Sequence, residues 1–76
     1  MYTQSVSSMM EKRKLMLVPG ETSVLEAARR MAKRNYGAVL VVEGEALVGI
    51  FTERDLAFRV VARKLDPAKT AVAEVM

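Results

Sequence analysis

The ten residues from Leu47 to Leu56, LVGIFTERDL, change character halfway along. Leu47 to Phe51 is apolar and rich in residues that suit a pleated strand. Thr52 then stands three residues before Asp55, in the spacing of a capping box. Beyond it, Leu56, Val60 and Val61 share one side of a helical pattern, while Asp55, Arg59 and Arg63 recur at i, i+4 and i+8 on another. The stretch therefore predicts a strand running into a helix that begins after Thr52, extends to about Lys64 and is closed by Asp66-Pro67.

Upstream, Ala38 to Val42 (AVLVV) is the longest uninterrupted apolar run and is β-branched, as a buried strand would be. The three-residue connection Glu43-Gly44-Glu45 makes it a hairpin with Leu47 to Phe51. Before it, Ser23 to Arg34 is the clearest helix. Ser23 and Glu26 have capping-box spacing, Val24, Ala28 and Met31 recur at i, i+4 and i+7, and Asn35 and Gly37 end the pattern. Lys14 to Val18 reads as a short strand stopped by Pro19-Gly20. Met1 to Arg13 reads as a lead-in with one helical turn at Ser5 to Met10. The order is β-α-β-β-α, an α+β arrangement in which two helices cover one face of a small mixed three-stranded sheet and leave the other bare.

Composition narrows the chemistry. The chain has 76 residues, enough for one small domain with a thin stability margin, and its 51% hydrophobic and 28% charged content is that of a globular protein. Cysteine and histidine are both absent, which removes thiolate and imidazole metal sites, the usual nucleophile triads and the neutral-pH imidazole switch. Ser5, Ser7 and Ser8 have no activating base and read as polar helix-start residues. The sequence thus points away from an enzyme. A five-residue apolar run is far short of the roughly 20 needed to span a bilayer, and no signal-peptide core is evident, so a cytoplasmic location is expected.

Twelve basic against nine acidic residues give +3, a weak preference for anionic partners. Arg29, Arg30, Lys33 and Arg34 sit where they complement the helix macrodipole and read as a solvated face rather than a phosphate-tracking stripe. The aromatics Tyr2, Tyr36, Phe51 and Phe58 form no paired stacking platform, so nucleic acid is not an expected partner. Met9, Met10, Met31 and Met76 fall at apolar positions that suit core packing.

Val72-Ala73-Glu74-Val75-Met76 echoes Val6-Ser7-Ser8-Met9-Met10, both reading V-x-x-h-M with h apolar. The echo suggests that residues 70–76 begin a second copy of the same unit, the chain being half of a tandem pair.

Taken together, VPGETSVLEAARRM (Val18 to Met31), GAVLVVE (Gly37 to Glu43) and LVGIFTERDL resemble the cystathionine-β-synthase (CBS) domain family, small regulatory β-α-β-β-α units usually found in tandem pairs called Bateman modules. Gly49, Thr52 and Asp55 fit the family's G-h-x-[T/S]-x-x-D signature, whereas Leu40 stands where many relatives carry proline. The resemblance implies two units packed through their sheets, and a cleft between them that binds AMP, ADP, ATP or S-adenosylmethionine. A regulatory, signal-transducing module without catalysis and without a resident cofactor is expected, acting as a homodimer or with a second CBS unit.

Local chemistry is compatible with that role. Thr52 opens a helix whose free N–H groups and positive dipole end attract a phosphate, with Arg54 as a further contact. Asp55 is placed to accept hydrogen bonds from the cis hydroxyls of a ribose, and Gly49 admits a close backbone approach. The adenine would lie near Leu15, Met16 and Ala38. Helix capping by Thr52 and Asp55, with an i, i+4 pair from Asp55 to Arg59, explains the same residues without a ligand. On that account the apolar sheet face makes a purely structural homodimerisation module.

Overall fold

The computed structural model describes residues 15–76; the lead-in with its turn at Ser5 to Met10, and with it Met9 and Met10, lies outside them. Three strands, β1 (Met16–Pro19), β2 (Ala38–Glu43) and β3 (Ala46–Thr52), form a sheet in the order β1-β2-β3. β1 is parallel to β2, because the helix α1 (Val24–Arg34) carries the chain back between them. β2 and β3 are antiparallel.

Glu43 faces Ala46 across that ladder, so the hairpin loop is the two residues Gly44-Glu45 rather than the three expected. Gly44 has φ +61, the positive value a II′ turn requires at its first central residue. Between Val41 and Val42 the register slips, because Val41 pairs with Gly49 but Val42 with Leu47, leaving Val48 as the extra residue of a bulge.

α1 is capped as its sequence indicates, the Ser23 hydroxyl accepting from Glu26 N at 3.0 Å. Its inward stripe is Val24, Ala27 and Met31, all buried, rather than the expected Val24, Ala28 and Met31. The i, i+3, i+7 set is the one facing the sheet, and Ala28 stands half-buried beside it. Asn35 ends the helix in the left-handed region at φ 56, a conformation its short polar side chain tolerates.

The second helix departs further from expectation. α2 proper is Glu53–Asp55, and it continues directly into a π-helical segment, Leu56–Val61. Wide-turn bonds run from Ala62 N to Ala57 O at 2.9 Å and from Leu65 N to Val60 O at 3.0 Å. The π-helical segment ends at Val61, and its last turn runs on through bonds from Lys64 N to Val61 O and from Leu65 N to Val60 O. Lys64, the expected end of the helix, reverses the chain at φ 59 before Asp66-Pro67 is reached. Val60 is fully buried, whereas Val61 is 67% exposed. Successive residues of the π-helical segment point in different directions around its axis, and Val60 turns to the sheet while Val61 turns away from it.

Both helices pack on one face of the sheet. Val24, Ala27 and Met31 meet Val18, Val39, Val41, Phe51 and Val60 in a single cluster completed by Val72 and Val75. The opposite face is less bare than expected. Leu40 and Val42 in the central strand are buried and Leu17 in β1 is half-buried, while Pro19 at the end of β1 is exposed and Leu47, Val48 and Ile50 in β3 are 40 to 44% accessible. No helix among the described residues is long and apolar enough to cross a membrane.

The last residues belong to this same core. Ala71 bridges Ser23, Val72 N donates to Thr22 O, Ala73 N donates to Gly20 O, and a short 3-10 turn, Val72–Glu74, seats Val72 and Val75. Val24 N and Leu25 N, unsatisfied donors of the first turn of α1, bond to Thr70 O and Pro67 O. With Glu26 N held by Ser23, the start of α1 has no donor left for a ligand.

Candidate functional site

At one end of the sheet β2 begins and β3 ends, with Ala38 directly opposite Thr52. Met16, the first residue of β1, pairs with Val39, so Leu15, Met16, Ala38 and Thr52 gather at this end as the sequence suggested. All four are partly buried. Gly37 enters the group through its backbone, its carbonyl accepting from Glu53 N at 3.1 Å.

Thr52 and Asp55 form a reciprocal cap. Thr52 Oγ1 accepts from Asp55 N at 3.1 Å, while Asp55 Oδ2 accepts from Thr52 N at 2.9 Å and from the Thr52 hydroxyl at 3.1 Å. The other carboxylate oxygen, Oδ1, is less engaged, lying 3.6 Å from Arg59 Nε. The Asp55 side chain is 18% exposed, so Oδ1 has capacity for a further donor within reach of solvent.

The backbone at this helix start differs from expectation. Glu53 N is taken by Gly37 O and Asp55 N by Thr52 Oγ1, so among the described residues only Arg54 keeps an unbonded first-turn N–H. A single donor is not a phosphate cradle of several N–H groups. The Arg54 guanidinium lies over the Phe58 ring, 5.1 Å from its centroid.

Gly49 is not at this end of the sheet. It faces the core opposite Val41, and a Cβ there would lie 2.6 Å from Met76 Sδ. The close approach that glycine permits is made by the thioether of Met76. Arg59 Nη1 also donates to Met76 O at 3.3 Å, so the π-helical segment and the last residue are tied together beside Asp55.

Sequence reasoning missed a hollow of about 190 Å³ between the C-terminal half of α1 and α2, lined by Ala28, Met31, Ala32, Asn35, Tyr36, Glu53 and Leu56. Its only signal was Tyr36, an aromatic just beyond a helix stop. It also missed the juxtaposition of Gly37 with Glu53, which depends on strand register.

With this geometry in view, the chain was compared with known proteins. The CBS domain profile matches residues 6–62. A CBS domain-containing protein of Arabidopsis thaliana, CBSCBSPB5, is 44% identical over 64 residues, which are 83% of this chain but 12% of that protein. The CBS domain-containing protein YhcV of Bacillus subtilis is 40% identical over 72 residues, covering 95% of this chain and 50% of YhcV. Among solved structures, a cystathionine β-synthase domain protein fused to a Zn-ribbon-like domain superposes with a TM-score of 0.79 at 31% identity, covering 82% of this chain and 89% of that one. This chain thus spans half or less of the length of these two curated relatives, and its fold is that of the solved CBS structure. The chain is a single CBS unit and belongs to the CBS domain family.

Proposed function

We propose that this unit is the adenosine-nucleotide-sensing half of a regulatory pair, acting without catalysis in the cytoplasm. The observation that carries the reading is the placement of Asp55: its Oδ1, held by only a 3.6 Å ion pair, stands at the same sheet end as the apolar residues Leu15, Met16 and Ala38. A carboxylate beside an apolar floor suits a ribose with its base, and Arg54 supplies charge for a phosphate. AMP, ADP, ATP and S-adenosylmethionine share the adenosine part. A nucleotide lodged between two units would bind the closed pair better than the open one, and that difference in affinity is what moves a signal to an attached domain.

Pairing is supported by apolar surface. Leu47, Val48 and Ile50 on β3 are exposed, as are Phe58, Val61 and Leu65 on and just after the π-helical segment. This favours a homodimer or a complex with a second CBS unit. It also supports a second reading, a purely structural association module.

Calorimetric titration of AMP, ATP, S-adenosylmethionine and adenosine tests the first reading against the second. Asp55→Asn keeps an acceptor for Thr52 N but replaces one carboxylate oxygen with a donor, and it should weaken adenosine about tenfold, or about 1.4 kcal/mol. A folded, paired protein that takes up none of the four would overturn the nucleotide reading and leave the structural one.

A further inference from the structure

Away from the Thr52–Asp55 turn, an open groove of about 650 Å³ runs between α1 and the edge strand β1. Met16 and Leu17 form its apolar side. Arg29, Arg30, Lys33 and Arg34 form the other, together with Glu26. Glu26 is already committed, its Oε2 accepting from Arg30 Nε at 2.8 Å. Arg29, Lys33 and Arg34 have no hydrogen bond or ion pair among the described residues.

Charge is concentrated here. Among the described residues, four cations and one carboxylate give the groove +3, equal to the net charge of the entire chain, so the other eight basic and eight acidic residues of the sequence cancel. The arrangement also works against the helix that carries it. Arg29 and Lys33, and Arg30 and Arg34, are like-charged i, i+4 neighbours, which weaken a helix. The macrodipole would be served by Lys33 and Arg34 alone, since its effect is confined to the last turn.

We propose that this groove is a second anion site, for a linear oligophosphate. Three uncommitted cations spread over six residues, about 7.5 Å of helix, can meet phosphoryl groups joined through shared oxygens. Successive phosphates of a nucleic-acid strand are spaced further apart by their sugars, and among the described residues the groove has no aromatic side chain on which a base could stack. Its volume falls in the range of small-molecule sites. The oligophosphate is either free or the tail of a nucleotide.

The test uses inorganic tripolyphosphate, which has neither ribose nor base and therefore does not depend on Asp55. Titration at low ionic strength should show saturable binding that weakens as salt is added. Arg29→Gln/Lys33→Gln/Arg34→Gln, checked for folding by circular dichroism, should lose at least tenfold in affinity, while Asp55→Asn should bind tripolyphosphate like the parent. ATP lost in parallel in the triple variant, with adenosine unaffected, identifies a nucleotide tail as a source; tripolyphosphate bound without ATP identifies the free form. No binding, equal binding by the folded triple variant, or tighter binding of a deoxythymidine decamer than of tripolyphosphate overturns the site.

Discussion

Consider a double-mutant cycle at the turn where β3 becomes α2. Three hydrogen bonds of 2.9 to 3.1 Å join Thr52 and Asp55; two run from a backbone N–H to the other residue's side chain, and only the bond from the Thr52 hydroxyl to Asp55 Oδ2 needs both side chains. Thr52→Ala removes the acceptor for Asp55 N and the hydroxyl donated to Oδ2; loss of an N-cap of this kind costs about 1 kcal/mol. Asp55→Ala strips the partner from Thr52 N and breaks the pair with Arg59, whose side chain is 50% exposed so that the pair itself adds at most a few tenths. Each single change should therefore cost about 1–1.5 kcal/mol. The double variant should cost about 1.5–2 kcal/mol rather than the sum, because the hydroxyl–carboxylate bond is lost in either single variant and is lost only once in the double, a coupling of about 0.5–1 kcal/mol. For a domain of this size 1 kcal/mol corresponds to about 4–8 °C in Tm. Thermal melts followed by circular dichroism at one fixed protein concentration read these differences, and Thr52→Ser, which keeps the hydroxyl, should stay within about 0.5 kcal/mol of the parent. Single costs that add to within about 0.3 kcal/mol would refute the bond between the Thr52 hydroxyl and Asp55, and single costs near zero would refute the reciprocal cap.

Other expectations follow from burial and backbone conformation. Val72→Ala, at a fully buried position, should cost about 2 kcal/mol in urea denaturation, and an unchanged midpoint would mean that residues 70–76 do not hold the core. Lys64→Gly should raise stability by about 0.5–1 kcal/mol, since Lys64 sits at φ 59 where a Cβ is unfavourable; a lower Tm would contradict the left-handed turn. Phe58→Glu, at a 59% exposed position, should leave the Tm of the isolated unit within a few degrees but shift sedimentation toward monomer, and an unaltered distribution would remove this surface from the pairing interface.

The parts legible in the sequence are those governed by neighbours a few residues apart. Ser23 and Glu26, and Thr52 and Asp55, mark helix starts because a cap is a local exchange of hydrogen bonds, and both were found where their spacing placed them. Ala38 and Thr52 were assigned to one site, and they stand opposite each other because the hairpin sets their register. What sequence could not supply depends on distant packing. The π-helical winding of Leu56–Val61 has no composition signature, and the exposure of Val61 follows from it. The choice of Ala27 over Ala28 as the inward residue rests on helix rotation against the sheet, and Gly49 looked available for a ligand only because Met76, 27 residues later, was not known to lie on it. The occupied N–H of Glu53 likewise became visible only with the strands in place.

The way Pro67, Thr70 and Val72 reach back to α1 and the turn before it has a bearing on synthesis at the ribosome. Strands, helices and hairpin are all translated before the carbonyls that quench Val24 N and Leu25 N, and before the two valines that plug the cluster. A nascent chain paused after Ala62 would hold every major element yet leave a helix start unquenched and an opening among apolar side chains. Closure is therefore set by the arrival of residues 67–75, and until they dock the nascent unit is most vulnerable to proteases and to stray association.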